Sequence, residues 1–119
     1  MNLTPRQMLY GALAVVGLVA TWYFNLKFTE ESGGSFSIAD FVAACYANSA
    51  SSSISNDITV AVIAFLVWSF HEARRLTMRN WWAYVVLTFA VAFACAYPLF
   101  LFMRERRLAA IEEERNPAS

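Results

Sequence analysis

The stretch NWWAYVVLTFAVAFACAYPLFLFM, residues 80–103, carries no charged side chain. As an α-helix rising 1.5 Å per residue it would reach about 36 Å, more than a hydrocarbon core of about 30 Å. Trp81, Trp82 and Tyr84 gather at its start as interface anchors. The stretch therefore reads as a membrane-spanning helix from Asn80 to Met103. Pro98 lies inside it, removes the bond to the Ala94 carbonyl and should kink the helix there. Two more segments follow the same logic. Residues 7–26 are also free of charge, flanked by Arg6 and Lys27. Ile58 to Phe70 is apolar but covers only about 20 Å, so a crossing there must begin near Ser51–Ser53 and draw Asp57 inward. The expectation is an all-α membrane protein with three transmembrane helices, Gln7–Leu26, Ser53–Phe70 and Asn80–Met103. They would form one domain over residues 1–107, with a polar tail over 108–119.

Composition agrees with a membrane setting. Of the 119 residues, 59% are hydrophobic and 15% charged, below the roughly 25% of soluble domains. Formal net charge is zero, so no broad basic field invites nucleic acid. Trp22-Tyr23-Phe24 follows the first apolar run where a cleaved leader would need small residues, so that run reads as a retained helix. Thr4 is its expected N-cap, with Pro5 at the first helical position. Cys45 and Cys95 fall in a loop and in mid-helix and are not expected to pair.

Between the first two crossings, Ser37-Ile38-Ala39-Asp40 reads as a helix start. Ile38, Phe41, Val42, Cys45 and Tyr46 then mark one apolar face. A helix over Ile38–Ala47 is too short to cross, so it should lie as an amphipathic element in the interface. Asn48 to Asn56 reads as a polar turn. The tail after Arg104 reads as a solvated helical extension that Asn116-Pro117 ends. With three crossings, Arg6, Arg74, Arg75 and Arg79 share one side, and Lys27, Arg104, Arg106, Arg107 and Arg115 the other. That near balance leaves orientation weakly set. The contrast between the two ends of the first helix favours its start inside, and the cluster at Arg104 argues against it.

Two groups of side chains are candidate sites. One is a polar seam of Asp57, Asn25, Thr21, Thr88 and Cys95, placed on facing stripes of the three helices. There Asp57 either titrates or binds a cation, or simply caps its helix. The other is an interfacial cluster of Trp68, His71, Glu72 and Arg75, in which Glu72 pairs with Arg75 or Arg79. His71-Glu72 alone does not make a metal site, since adjacent helical residues diverge by 100°. No cofactor is expected, and the partners expected are the bilayer and another copy or another membrane subunit. An enzyme acting on a lipidic or isoprenoid substrate is the alternative, and a dimeric transporter using Asp57 a second one. Asp57 and Glu72 lie about 22 Å apart along one helix, which weighs against a shared reacting centre.

Several stretches together resemble a known family. Trp22-Tyr23-Phe24 ends the first helix, and Phe65-Leu66-Val67-Trp68 leads into Glu72-Ala73-Arg74-Arg75-Leu76. Trp81-Trp82 opens the third, and Pro98-Leu99-Phe100-Leu101 with Arg104-Glu105-Arg106 closes it. Over roughly Tyr10 to Arg107 the chain resembles the short bacterial membrane proteins grouped as domain of unknown function 2834. The resemblance implies a bacterial integral membrane protein, for which the inner membrane is the expected location, and carries no activity or site residue with it.

Overall fold

A computed structural model describes residues 3–115, and all its regular elements are helices. They are α1 (Pro5–Glu31), α2 (Ile38–Cys45), α3 (Ser49–Arg75), α4 (Trp81–Ala90) and α5 (Phe93–Arg115). The expected stop at Asn116-Pro117 lies outside the described residues. α1 and α3 are each long and apolar enough to cross a bilayer; α4 is a shorter apolar helix.

Local chemistry explains where the helices start. Thr4 caps α1 and exchanges hydrogen bonds with Gln7, and Pro5 opens the first turn. Ser37 caps α2 through the Asp40 amide. α3 begins before the expected Ser53. Asn48 and Ser51 bond each other's backbone amides in a capping box, so the serine-rich run is helix and not turn. Asn48 is therefore the cap, and Asp57 lies more than two turns inside the helix, which corrects the capping role considered for it.

The expected single helix over Asn80–Met103 is also corrected. It breaks at Val91–Ala92, nearly two turns before Pro98, where the kink is expected, and gives two helices, α4 and α5. They fold back on each other. Tyr84 of α4 meets Phe100 of α5 edge-on at 5.1 Å, and the loop before α4 reaches α5 beyond Met103. Being ten residues long, α4 covers about 15 Å, half a hydrocarbon core.

This hairpin organises the rest. α1 runs antiparallel to α5 along the most extensive interface in the fold. Arg6 pairs with Glu105, Gly11 faces Phe102, Gly17 faces Ala94 and the Trp22 indole reaches Val91. α3 runs beside α5 in the same direction, with Phe65 against Phe93, Tyr97 and Phe100. Phe100 is fully buried at the centre. Trp81 donates its indole N–H to the buried Ser69 hydroxyl, pinning α4 to α3. Beyond the hairpin tip, α1 and α3 share no extensive interface, and the molecule extends to 60 Å along its axis.

The break in α4–α5 frees backbone groups, and α1 meets them. The Val91 carbonyl accepts the Trp22 indole N–H at 2.8 Å. Pro98 has no N–H for the Ala94 carbonyl, and Gly17 packs on that group. A β-carbon at Gly17 would overlap the Ala94 oxygen and lie 2.6 Å from its carbonyl carbon. Glycine is what permits the approach.

Candidate functional site

One end of the molecule collects the arginines. The start of α1, the end of α3, the start of α4 and α5 beyond Met103 all meet there. Eight of the nine basic residues belong to this end: Arg6, Arg74, Arg75, Arg79, Arg104, Arg106, Arg107 and Arg115. The ninth, Lys27, lies toward the opposite end with Glu30, Glu31, Asp40 and Asp57.

At the centre of the arginine end is Glu72, buried and two residues beyond the last apolar residue of its run, Phe70. Arg75 grips it with two nitrogens, at 2.7 and 3.1 Å. The Arg104 Nε donates to its other face, tying α3 to α5. The Arg104 guanidinium also lies 5.7 Å from the Trp68 ring centre, and Trp68 stacks edge-on against Phe100. Hydrogen bonding and charge from Arg75, joined by Arg104, outweigh burial and hold the Glu72 carboxyl down at about 2. It is an ionised clasp and not a proton donor. Arg107 adds a second link, its Nε donating to the Leu76 carbonyl at the end of α3.

The interfacial cluster expected from sequence thus gathers Trp68, Glu72 and Arg75, but its partner across the helices is Arg104. Arg79 does not pair with Glu72; His71 stays exposed beside the Phe70 ring. Among the described residues, no three metal-ligating side chains come together.

The polar seam divides. Thr88 and Cys95 are buried in the α4–α5 hairpin, where the Thr88 hydroxyl donates to the Tyr84 carbonyl. Thr21 and Asn25 lie half-buried on α1. Asp57 is exposed on α3, with no side-chain hydrogen bond or ion pair among the described residues. Its neighbours Ser55 and Asn56 reach back to α2, Ser55 to the Cys45 carbonyl and Asn56 to the Tyr46 hydroxyl.

A cleft of about 690 Å³ opens beside the clasp, between the α3–α4 connection and α5. Arg79, Asn80, Tyr84 and Arg107 line it, with Met78 and Met103. The sequence alone does not bring Arg104, Arg107 and this cleft together, because a straight third helix would carry them to the far side. The misfit of the Arg104 cluster with a three-crossing charge balance was the available signal.

The family model for the protein of unknown function DUF2834 matches residues 9–106, so the chain belongs to that family. No curated protein and no solved structure matches it.

Proposed function

We propose, from membership of a family with no assigned activity, that the chain is a small bacterial inner-membrane protein. It works without catalysis, as a subunit that associates with a second copy or with another membrane protein. α1 and α3 cross the bilayer. α4 and α5 enter from the arginine side and return to it. Three features support this reading. The faces of α1 and α3 are apolar yet largely exposed, as at Leu9, Leu13, Val16, Val19, Val60 and Ile63. A helix buried in a soluble core would cover them. Irregular backbone at mid-depth is tolerated only where protein covers or satisfies it, and the Trp22 indole bonds the Val91 carbonyl while Gly17 packs on that of Ala94. Eight basic residues at one end against one at the other favour that end, with the start of α1, on the cytoplasmic side.

Asp57 carries the association. Counting back from Phe70, a helix needs about 20 residues to cross, which places Asp57 roughly 9 Å inside the hydrocarbon edge. An exposed carboxylate there is costly and calls for a protein neighbour, which the described residues of this chain do not supply. A second copy or a partner subunit covers it, filling the space between α1 and α3 beyond the hairpin tip. The enzyme alternative has less support, since two arginines already hold Glu72. The test is molecular mass in mild detergent. Wild type and Asp57→Asn should run as a dimer or larger complex, and Asp57→Leu should dissociate at about tenfold lower dilution. Monomeric wild type with no co-purifying protein would overturn the proposal.

A further inference from the structure

We propose that the cleft beside the clasp binds a phosphate group, that of an anionic phospholipid headgroup. This rests on the membrane reading, which sets the cleft at the cytoplasmic headgroup level. The first observation is Tyr84. It is only 8% exposed, yet its hydroxyl has no hydrogen bond among the described residues. The cleft it lines is the space that hydroxyl can reach. The ring is buried while the hydroxyl stays accessible from the cleft, where a phosphate oxygen can accept its hydrogen bond. The second is the start of α4. Asn80 occupies the cap position but makes no side-chain capping hydrogen bond; the Ala83 amide bonds the Asn80 carbonyl, and the Trp81 and Trp82 amides stay open at the positive end of the helix dipole.

Charge and shape complete the site. Arg79 borders the same cleft and has no ion pair among the described residues. Arg107 is anchored at the wall through the Leu76 carbonyl. Arg106 also lines the cleft, and Glu113 is the one carboxylate among its described lining residues, so the surround is cationic. Met78 and Met103 supply an apolar side on which the glycerol and upper acyl carbons can rest. Tyr84 and Met103 place the cleft where the apolar part of the hairpin gives way to its arginines. A headgroup phosphate bonded by the phenol and guanidinium groups, with its chains running beside the hairpin, fits this lining, and the positive end of the α4 dipole at Asn80 adds to the attraction.

Native mass spectrometry from micelles containing equal phosphatidylglycerol and phosphatidylcholine tests the site. Wild type should retain phosphatidylglycerol about tenfold over phosphatidylcholine. Arg79→Ala and Tyr84→Phe should each lower that preference at least about threefold. Arg74→Ala removes a charge at the same end but outside the cleft, where Arg74 lies over Phe70, and should leave it unchanged. A loss with Arg74→Ala equal to that with Arg79→Ala would mean a diffuse field and overturn the site. Displacement of the lipid by millimolar inorganic phosphate would mean that free phosphate is the ligand and overturn the headgroup assignment. Alkaline carbonate extraction separates the two levels. Release of wild type sinks the membrane reading, whereas retention without phosphatidylglycerol preference sinks the site alone.

Discussion

Gly17 bears more of the architecture than its size suggests. An ordinary glycine in a helix interior costs about 1 kcal/mol relative to alanine, so Gly17→Ala in an unpacked helix should stabilise. Here the added carbon would overlap the Ala94 carbonyl, which belongs to backbone and cannot swing away. Gly17→Ala should instead cost about 1–3 kcal/mol in a detergent unfolding assay. A gain in stability would show that α1 and α5 do not meet there. Pro98→Ala returns an N–H to the Ala94 carbonyl and should leave stability level or raise it. Glu72 answers to pH. Its carboxyl is held at about 2 against an unfolded value of 4.5, so the clasp is fully formed above about pH 5. Its stabilisation is lost as pH falls from 4.5 toward 2. Glu72→Gln should cost about 1–3 kcal/mol, and unfolding curves should show the same deficit from pH 8 to pH 5 and a shrinking one below. A deficit that varies between pH 6 and 8 would contradict the ionised clasp.

At the scale of elements, α1 and α2 were legible because their signals are local. Thr4-Pro5 opens α1, Ser37 opens α2, and the apolar spacing of Ile38, Phe41, Val42 and Cys45 fixes the second helix. The start of α3 was misplaced for a local reason too: Ser and Asn favour turns and caps alike, and only the Asn48–Ser51 pairing chooses. The α4–α5 break was not legible from its own residues. The apolar run 80–103 contains no glycine, and its proline falls nearly two turns after the break. The same composition serves a straight crossing or a hairpin. What selects the hairpin is contact with α1 and α3, which sequence spacing does not reveal. Trp22 is the clearest of these contacts. Trp22→Phe keeps an aromatic ring, though a smaller one, and removes the bond to the Val91 carbonyl, leaving that group unpaired. The expected loss is about 1–3 kcal/mol, with faster amide exchange confined to the tip around Val91 and Ala92. Unchanged exchange there would show that the indole does not hold the tip.

For the whole molecule, folding α4 and α5 back turns an ambiguous charge balance into a strong one. A straight third helix divides the basic residues four against five, and the hairpin divides them eight against one. Of the site, Glu72, Arg75 and Trp68 were readable as one cluster, since they share one stretch of α3. Arg104, Arg107 and Tyr84 were not, because they join it only through the hairpin. The Asp57 seam was readable as residues on stripes but not as a meeting point, since the far halves of α1 and α3 stay apart. Side-specific labelling of single cysteines in a cysteine-free chain separates the two topologies. The informative variants are Ser35→Cys, Arg79→Cys and Glu114→Cys, probed in intact cells and in inverted vesicles. With α4–α5 re-entering, Arg79→Cys and Glu114→Cys should label only from the cytoplasmic side and Ser35→Cys only from the opposite one. Labelling of Glu114→Cys from the same side as Ser35→Cys would mean that a third helix crosses, and would contradict the hairpin and all that rests on it.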